Sequence, residues 1–182
     1  DVHFAPDGHS IAFVVTRADR GQRRNISHIW LVAADGKSEP YPFTTGSESE
    51  THPRWSPDGK RLAFITRREE DERSQIYLMP AGGGEATRVT DFENGVQEFV
   101  WSPDSSRFAV VARTGPRMDP NDPLAGVIVI RTARYDQDRR GFFGNLRSHV
   151  YVVDAATGES TQITEGIDDN TSPAWSPDGE WI

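Results

Sequence analysis

Serine, histidine and carboxylate side chains are the chain's material for bond chemistry, and their spacing does not assemble a catalytic centre. A hydrolase-type serine nucleophile sits in Gly-x-Ser-x-Gly on a strained strand-to-helix turn. The nearest segment, Thr45-Gly46-Ser47-Glu48-Ser49, lacks the second glycine and the strand–helix setting. The histidines are His3, His9, His28, His52 and His149, and no two stand at His-x-x-x-His spacing, which would aim two imidazoles at one metal. His28 and His149 open equivalent apolar segments and read as structural. Cysteine is absent, which removes disulfides and thiolate metal sites. Asp168-Asp169-Asn170 falls short of a twelve-residue calcium loop, and Gly82-Gly83-Gly84 leads into no helix that could hold a phosphate. No catalytic residue, metal ligand or cofactor is expected here, and the chain is expected to hydrolyse no peptide or ester by itself.

Carboxylates do cluster, in three loops: Glu48 and Glu50; Asp91 and Glu93 with Glu98; Glu165 with Asp168 and Asp169. One reading is an acidic rim that attracts a peptide amino terminus or basic side chains. The other, which is preferred, is ordinary solvated loop charge. The loops 17–24 and 67–73 read as solvated hairpin tips.

What positions these loops is a repeated segment. Trp55-Ser56-Pro57-Asp58-Gly59 recurs as Trp101-Ser102-Pro103-Asp104 and Trp175-Ser176-Pro177-Asp178-Gly179, with Phe4-Ala5-Pro6-Asp7-Gly8 as a divergent copy. The aromatic positions are 51, 46 and 74 residues apart, a period that belongs to propellers, solenoids or arrays. Proline presets the first central position of a type I turn, aspartate suits the second, and glycine accepts the positive φ that follows. Each copy is thus a tight hairpin turn between two strands, and the copies share one supersecondary unit.

After each turn comes an apolar run: Ile11 to Val15, Leu62 to Ile65, Phe108 to Ala112. These runs are continuous rather than alternating, as in sheets covered on both faces. A second run follows (Ile26 to Ala33, Gln75 to Met79, His149 to Val153), then turn formers, then a short outer strand (Tyr41 to Thr45, Ala86 to Thr90, Ser160 to Thr164). Four antiparallel strands in about 45 residues make a propeller blade. Pro53 and Pro173 fall in the first strand of their units, which suits an edge strand at the axis. No window carries a capped helical period. The expected fold is all-β, a β-propeller of four-stranded antiparallel blades over 1–182, with blades at about 1–46, 47–92 and 93–166 and a fourth beginning at 167–182. About three and a half blades are fewer than the four to eight that close a ring, so the chain reads as part of a longer protein. Blade faces without neighbours are expected to drive self-association.

The third unit is longer by 28 residues, which places an insertion at 115–146 between its second and third strands. Asp119-Pro120-Asn121-Asp122-Pro123 reads as a turn-rich tip and Val127-Ile128-Val129-Ile130 as a strand. A connection of that length is usually functional or disordered.

With 28 acidic against 20 basic residues the net charge is −8, which argues against a nucleic-acid partner. No apolar run approaches the ~18 residues of a membrane span.

The motifs Trp-Ser-Pro-Asp-Gly, Leu-Ala-Phe, Ile-Tyr-Leu-Met and Arg-Val-Thr resemble the propeller repeats shared by TolB-like proteins and prolyl oligopeptidase family peptidases. The segment Arg134-Tyr135-Asp136-Gln137-Asp138-Arg139-Arg140-Gly141-Phe142, followed by Arg147-Ser148-His149-Val150-Tyr151-Val152-Val153-Asp154, is similar to the acylaminoacyl peptidase branch, with Arg139 where that branch carries glycine. The resemblance implies a parent serine peptidase of acylaminoacyl or dipeptidyl peptidase type, with a downstream α/β-hydrolase domain. This chain would be the non-catalytic propeller that admits peptides and excludes folded proteins. It further implies that Arg134, Tyr135, Arg139 and Arg140, with Glu98, face substrate or the catalytic domain. The alternative is a TolB-like module for protein–protein interaction. A cytoplasmic location is expected for the former and a periplasmic one for the latter.

Overall fold

The computed structural model describes residues 1–21, 23–68, 70–115, 136–137, 141–142 and 146–182. No helix occurs among them. β1 (Val2–Phe4), β2 (Ser10–Asp19), β3 (Arg24–Ala33) and β4 (Tyr41–Pro42) form one four-stranded sheet. β5 (Glu50–Trp55), β6 (Arg61–Thr66), β7 (Gln75–Pro80) and β8 (Thr87–Arg88) form a second. The third sheet takes β9 (Val96–Trp101) and β10 (Arg107–Thr114), passes over a separate two-stranded ladder of β11 (Asp136–Gln137) and β12 (Gly141–Phe142), and resumes with β13 (Arg147–Asp154) and β14 (Ser160–Gln162). Every pairing is antiparallel, and each sheet is a meander in chain order.

The repeated turn closes as its residue types dictate. Gly59 N–H donates to Ser56 O at 2.8 Å and Ser56 N–H to Arg61 O at 2.9 Å, with Gly59 at φ 70°. The serine carries a role beyond the turn: Ser56 Oγ donates to Asp58 Oδ1 (2.6 Å) and accepts from Arg61 N–H (3.0 Å). The same pair of bonds recurs at Ser102 and Ser176. Ser56 and Ser102 are fully buried, so their hydroxyls need these partners. In the third sheet Ser105 occupies the glycine position at φ 62°. Ser106 donates to the Asp104 carboxylate from both N–H and Oγ. The hydroxyls of Ser102 and Ser106 and that N–H draw the Asp104 pKa down to about 2.

The apolar runs are continuous because alternate residues serve different neighbours. Leu62 and Phe64 of β6 with Tyr77 and Met79 of β7 pack against Ala12, Ile29 and Leu31 of the first sheet. Ala63, Ile65, Ile76 and Leu78 pack the other way, against Phe99, Phe108, Val110 and Val153 of the third. The second sheet is therefore a blade between blades. Trp55 belongs to the first interface, Trp101 to the second, and Trp175 packs on Ala109, Val111 and Val150 beyond the third sheet. In β2 only Ala12 is buried, so its apolar run is covered on one face.

The outer strands are shorter than the sequence implies: β4 and β8 pair over two residues and β14 over three. A threonine side chain takes over where the ladder stops. Ile29, Ile76 and Val150 each donate their N–H to Thr44, Thr90 and Thr164 Oγ1, at 2.9 Å in all three blades. The hydroxyl satisfies a buried donor that a strand would otherwise have to meet.

Candidate functional site

Two places concentrate polar groups: the inner strands β1, β5 and β9, which face the axis in a propeller, and the cleft between the first two blades.

Inner strands are sheet edges, with N–H and C=O groups lacking ladder partners. Side chains of adjoining blades supply them. Trp55 N–H donates to His3 Nδ1 (3.2 Å), Trp101 Nε1 donates to Arg54 O (3.1 Å), and Ser172 N–H donates to Glu98 Oε1 (2.5 Å). Arg54 also reaches back to Asp1, Nη1 to Oδ1 at 3.0 Å. β5 carries a bulge between Thr51 and Arg54, where His52 at φ 55° precedes Pro53; Ser172 at φ 56° precedes Pro173 in the same way. Burial first and the Arg54 charge second hold the His3 and His52 imidazoles below their ordinary value. The Glu98 charge opposes that shift at His52. The edge is thus clasped by neutral imidazole, guanidinium and carboxylate groups, a surface that can hydrogen-bond a passing chain; on it Thr51 Oγ1 also stands 3.2 Å from His52 Nδ1.

The cleft has a volume of about 730 Å³. Phe43, Met79 and Ala86 form its apolar wall, and Glu50, Asp71 and Tyr77 stand among its polar groups. Asp71 belongs to a loop expected to be solvated, yet its side chain is 1% exposed. Tyr77 Oη donates to Asp71 Oδ2 at 2.7 Å, and Arg68 N–H donates to the same oxygen. Burial and this bond push the Tyr77 pKa up to about 12. Arg88 Nε lies 3.1 Å from Asp71 Oδ1 but donates to Thr90 O, so Oδ1 has an ionic contact and no hydrogen bond.

The acidic loops are less solvated than expected. Glu48 takes both Arg24 Nη1 and Nη2, Glu50 is buried against His28 Nδ1 (3.0 Å), and Asp169 Oδ1 accepts from Ser148 N–H. Arg24, expected in a solvated tip, is thereby tied to the loop that enters the second blade. Among the described residues no group of three or more potential ligands could hold a metal ion. Glu98 is placed on β9 against Ser172. Arg134, Tyr135, Arg139 and Arg140 lie outside the described residues, as do the expected tip at 119–123 and strand at 127–130. Sequence reading missed Asp71, Tyr77 and the three threonines; only the recurrence of threonine at the end of each outer strand pointed to the last.

The TolB beta propeller domain matches residues 2–122. The chain belongs to that family. The uncharacterized peptidase YuxL of Bacillus subtilis is 32% identical over 192 aligned residues, covering 100% of this chain and 28% of YuxL. Among solved structures, Pyrococcus horikoshii acylaminoacyl peptidase superposes with a TM-score of 0.70 at 23% identity, over 90% of this chain and 24% of that one. TolB from Acinetobacter baumannii gives 0.62 at 22% identity, over 98% and 35%. The family match thus covers the first two blades and the β9–β10 half of the third. The solved propellers share the fold over 90% or more of the chain, and the chain spans about a quarter of YuxL and of the Pyrococcus horikoshii enzyme.

Proposed function

We propose that the chain is the substrate-screening propeller part of a serine peptidase of acylaminoacyl or dipeptidyl peptidase kind, and that it breaks no bond itself. The likeness to YuxL supports this reading most, because it runs through the whole chain, including the long connection between β10 and β13, whereas the family match stops at residue 122. The clasped inner edge suits the role. Trp55 N–H and Arg54 C=O on that edge are taken by side chains of neighbouring blades, which disfavours an extended peptide adding there as a strand. Arg134, Tyr135, Arg139 and Arg140 on the connection, and Glu98 on the inner edge, are the residues we assign to substrate or to a catalytic domain. The parent is cytoplasmic in this reading.

The full-length parent should react with a fluorophosphonate and cleave acetyl-aminoacyl or dipeptidyl chromogenic substrates, while this chain does neither. Replacing the four connection residues by alanine should lower kcat/KM on a short peptide with the melting temperature unchanged. A parent that resists the phosphonate and cleaves nothing would defeat the reading. It would favour the second one, a periplasmic TolB-like module docking a protein partner, which the 98% structural coverage by TolB supports.

A further inference from the structure

The geometry points to the cleft between the first two blades as a binding site for a cationic peptide side chain, a lysine or arginine whose stem lies on the apolar wall and whose head meets Glu50. This inference does not depend on the peptidase reading.

Charge is the first ground. Glu48 in the cleft is already met by Arg24, and Asp71 by Arg88. The Arg68 guanidinium sits 4.7 Å over the Tyr77 ring. Glu50, Glu70 and Glu85 line the same cleft, and none of them is held by an arginine or lysine among the described residues. The second ground is the state of Glu50. Its side chain is 4% exposed, and His28 occupies only Oε2. Oε1 accepts no hydrogen bond among the described residues, yet it is not one of the buried atoms left without a partner, so it opens to solvent in the cleft that Glu50 lines and is free to accept from a ligand. The third ground is Gly46. Its φ is not positive, so the backbone does not demand glycine, but a Cβ there would stand 2.7 Å from Glu50 Oε1. Glycine keeps that oxygen uncovered on the cleft side. Phe43, Met79 and Ala86 then offer the apolar contact that an alkyl stem prefers while its charged end is paired.

The test titrates the 15N-labelled chain with N-acetyl-lysine methylamide and, separately, N-acetyl-norleucine methylamide, which shares the stem without the charge. The lysine probe should shift the amides of Gly46 and Ala86 with at least tenfold tighter binding than norleucine. Glu50→Gln should remove that preference, and Glu85→Gln, at the exposed mouth, should weaken it about twofold to threefold without touching the fold. Gly46→Ala should also abolish binding. Free putrescine, lacking a peptide backbone, should bind no better than the lysine probe. Equal binding of lysine and norleucine, no shifts at these amides up to roughly 10 mM, or full binding by a folded Glu50→Gln chain would each overturn the inference. Putrescine binding tenfold tighter would overturn the peptide side chain as occupant.

Discussion

The guanidinium of Arg61 lies 5.1 Å over the ring of Trp101 in the next blade, and its Nη2 donates to Ser105 O at 2.6 Å. One blade later Arg107 stands 5.0 Å over Trp175 and reaches Gly179 O. The arginine directly follows each turn, so the turn of one blade aims a planar cation at the aromatic residue and turn carbonyl of its neighbour. Ser10 holds the corresponding place in the first blade, and Trp55 has no such cover among the described residues. A partly buried cation–π contact and a charge-assisted hydrogen bond together are worth about 1–3 kcal/mol. Arg61→Ala should lower stability by about that amount, and Arg61→Lys should restore less than half, because ammonium lacks the planar fork. Urea midpoints at constant m check both; an unshifted midpoint for Arg61→Ala would reject the contact as stabilising.

Trp55 and Trp101 occupy equivalent interfaces, and replacing either by alanine should cost on the order of 3–5 kcal/mol. Phenylalanine separates them. Trp101 Nε1 donates to Arg54 O, whereas Trp55 Nε1 is buried without a partner. Trp101→Phe should therefore cost about 1 kcal/mol more than Trp55→Phe, since it alone strands a carbonyl. Equal losses in denaturant melts would mean that the indole bond contributes nothing.

How much of this was legible depends on how local the chemistry is. Ser56, Pro57, Asp58 and Gly59 close a turn with one another, so their spacing carries the hairpin, and four copies carry the blade. Thr90 serves Ile76, on another strand, and its meaning needs the fold first. Asp71 looked like loop charge because nothing in a run of charged residues says that Tyr77 will turn its hydroxyl back on it. Glu98 reads in the sequence as one carboxylate of an acidic loop, but its partner Ser172 is 74 residues away. Charge patterning says which loops are acidic and not which carboxylates the packing consumes.

The threonine closure gives a direct test. Thr90→Val keeps the shape and removes the acceptor of the buried Ile76 N–H, and it also removes the donor to Gln75 Oε1 (2.8 Å). Thr44→Val removes one bond of this kind, to Ile29 N–H. An unsatisfied buried group costs about 1–3 kcal/mol, so Thr90→Val should destabilise more than Thr44→Val, and both more than Thr87→Val, whose side chain is exposed. Hydrogen exchange at Ile76 should accelerate in Thr90→Val. Unchanged protection there would mean that another acceptor closes the strand.

The clasp at His3 makes stability depend on pH with a definite sign. His3 Nδ1 accepts the Trp55 N–H, and only the neutral ring can do so. Burial and then Arg54 hold its folded pKa below 6.5, and the same causes act on His52. The facing groups are Arg54, which repels a protonated ring, and Asp1, whose carboxylate is engaged by Arg54. Unfolded histidine takes up its proton near pH 6.5. Between there and the lower folded pKa the unfolded chain binds more protons, so stability is full above about pH 6.5 and falls as pH drops below it. Asp104 adds a second loss further down: its contribution is present above about pH 3.9 and disappears as pH falls toward about 2. His3→Asn places an amide oxygen where Nδ1 accepts, keeping the bond without a titrating group. Melting temperatures from about pH 7.5 to 5 should decline less steeply in His3→Asn, and less again when His52→Gln is added. A double variant with the wild-type slope would place the acid sensitivity elsewhere in the chain.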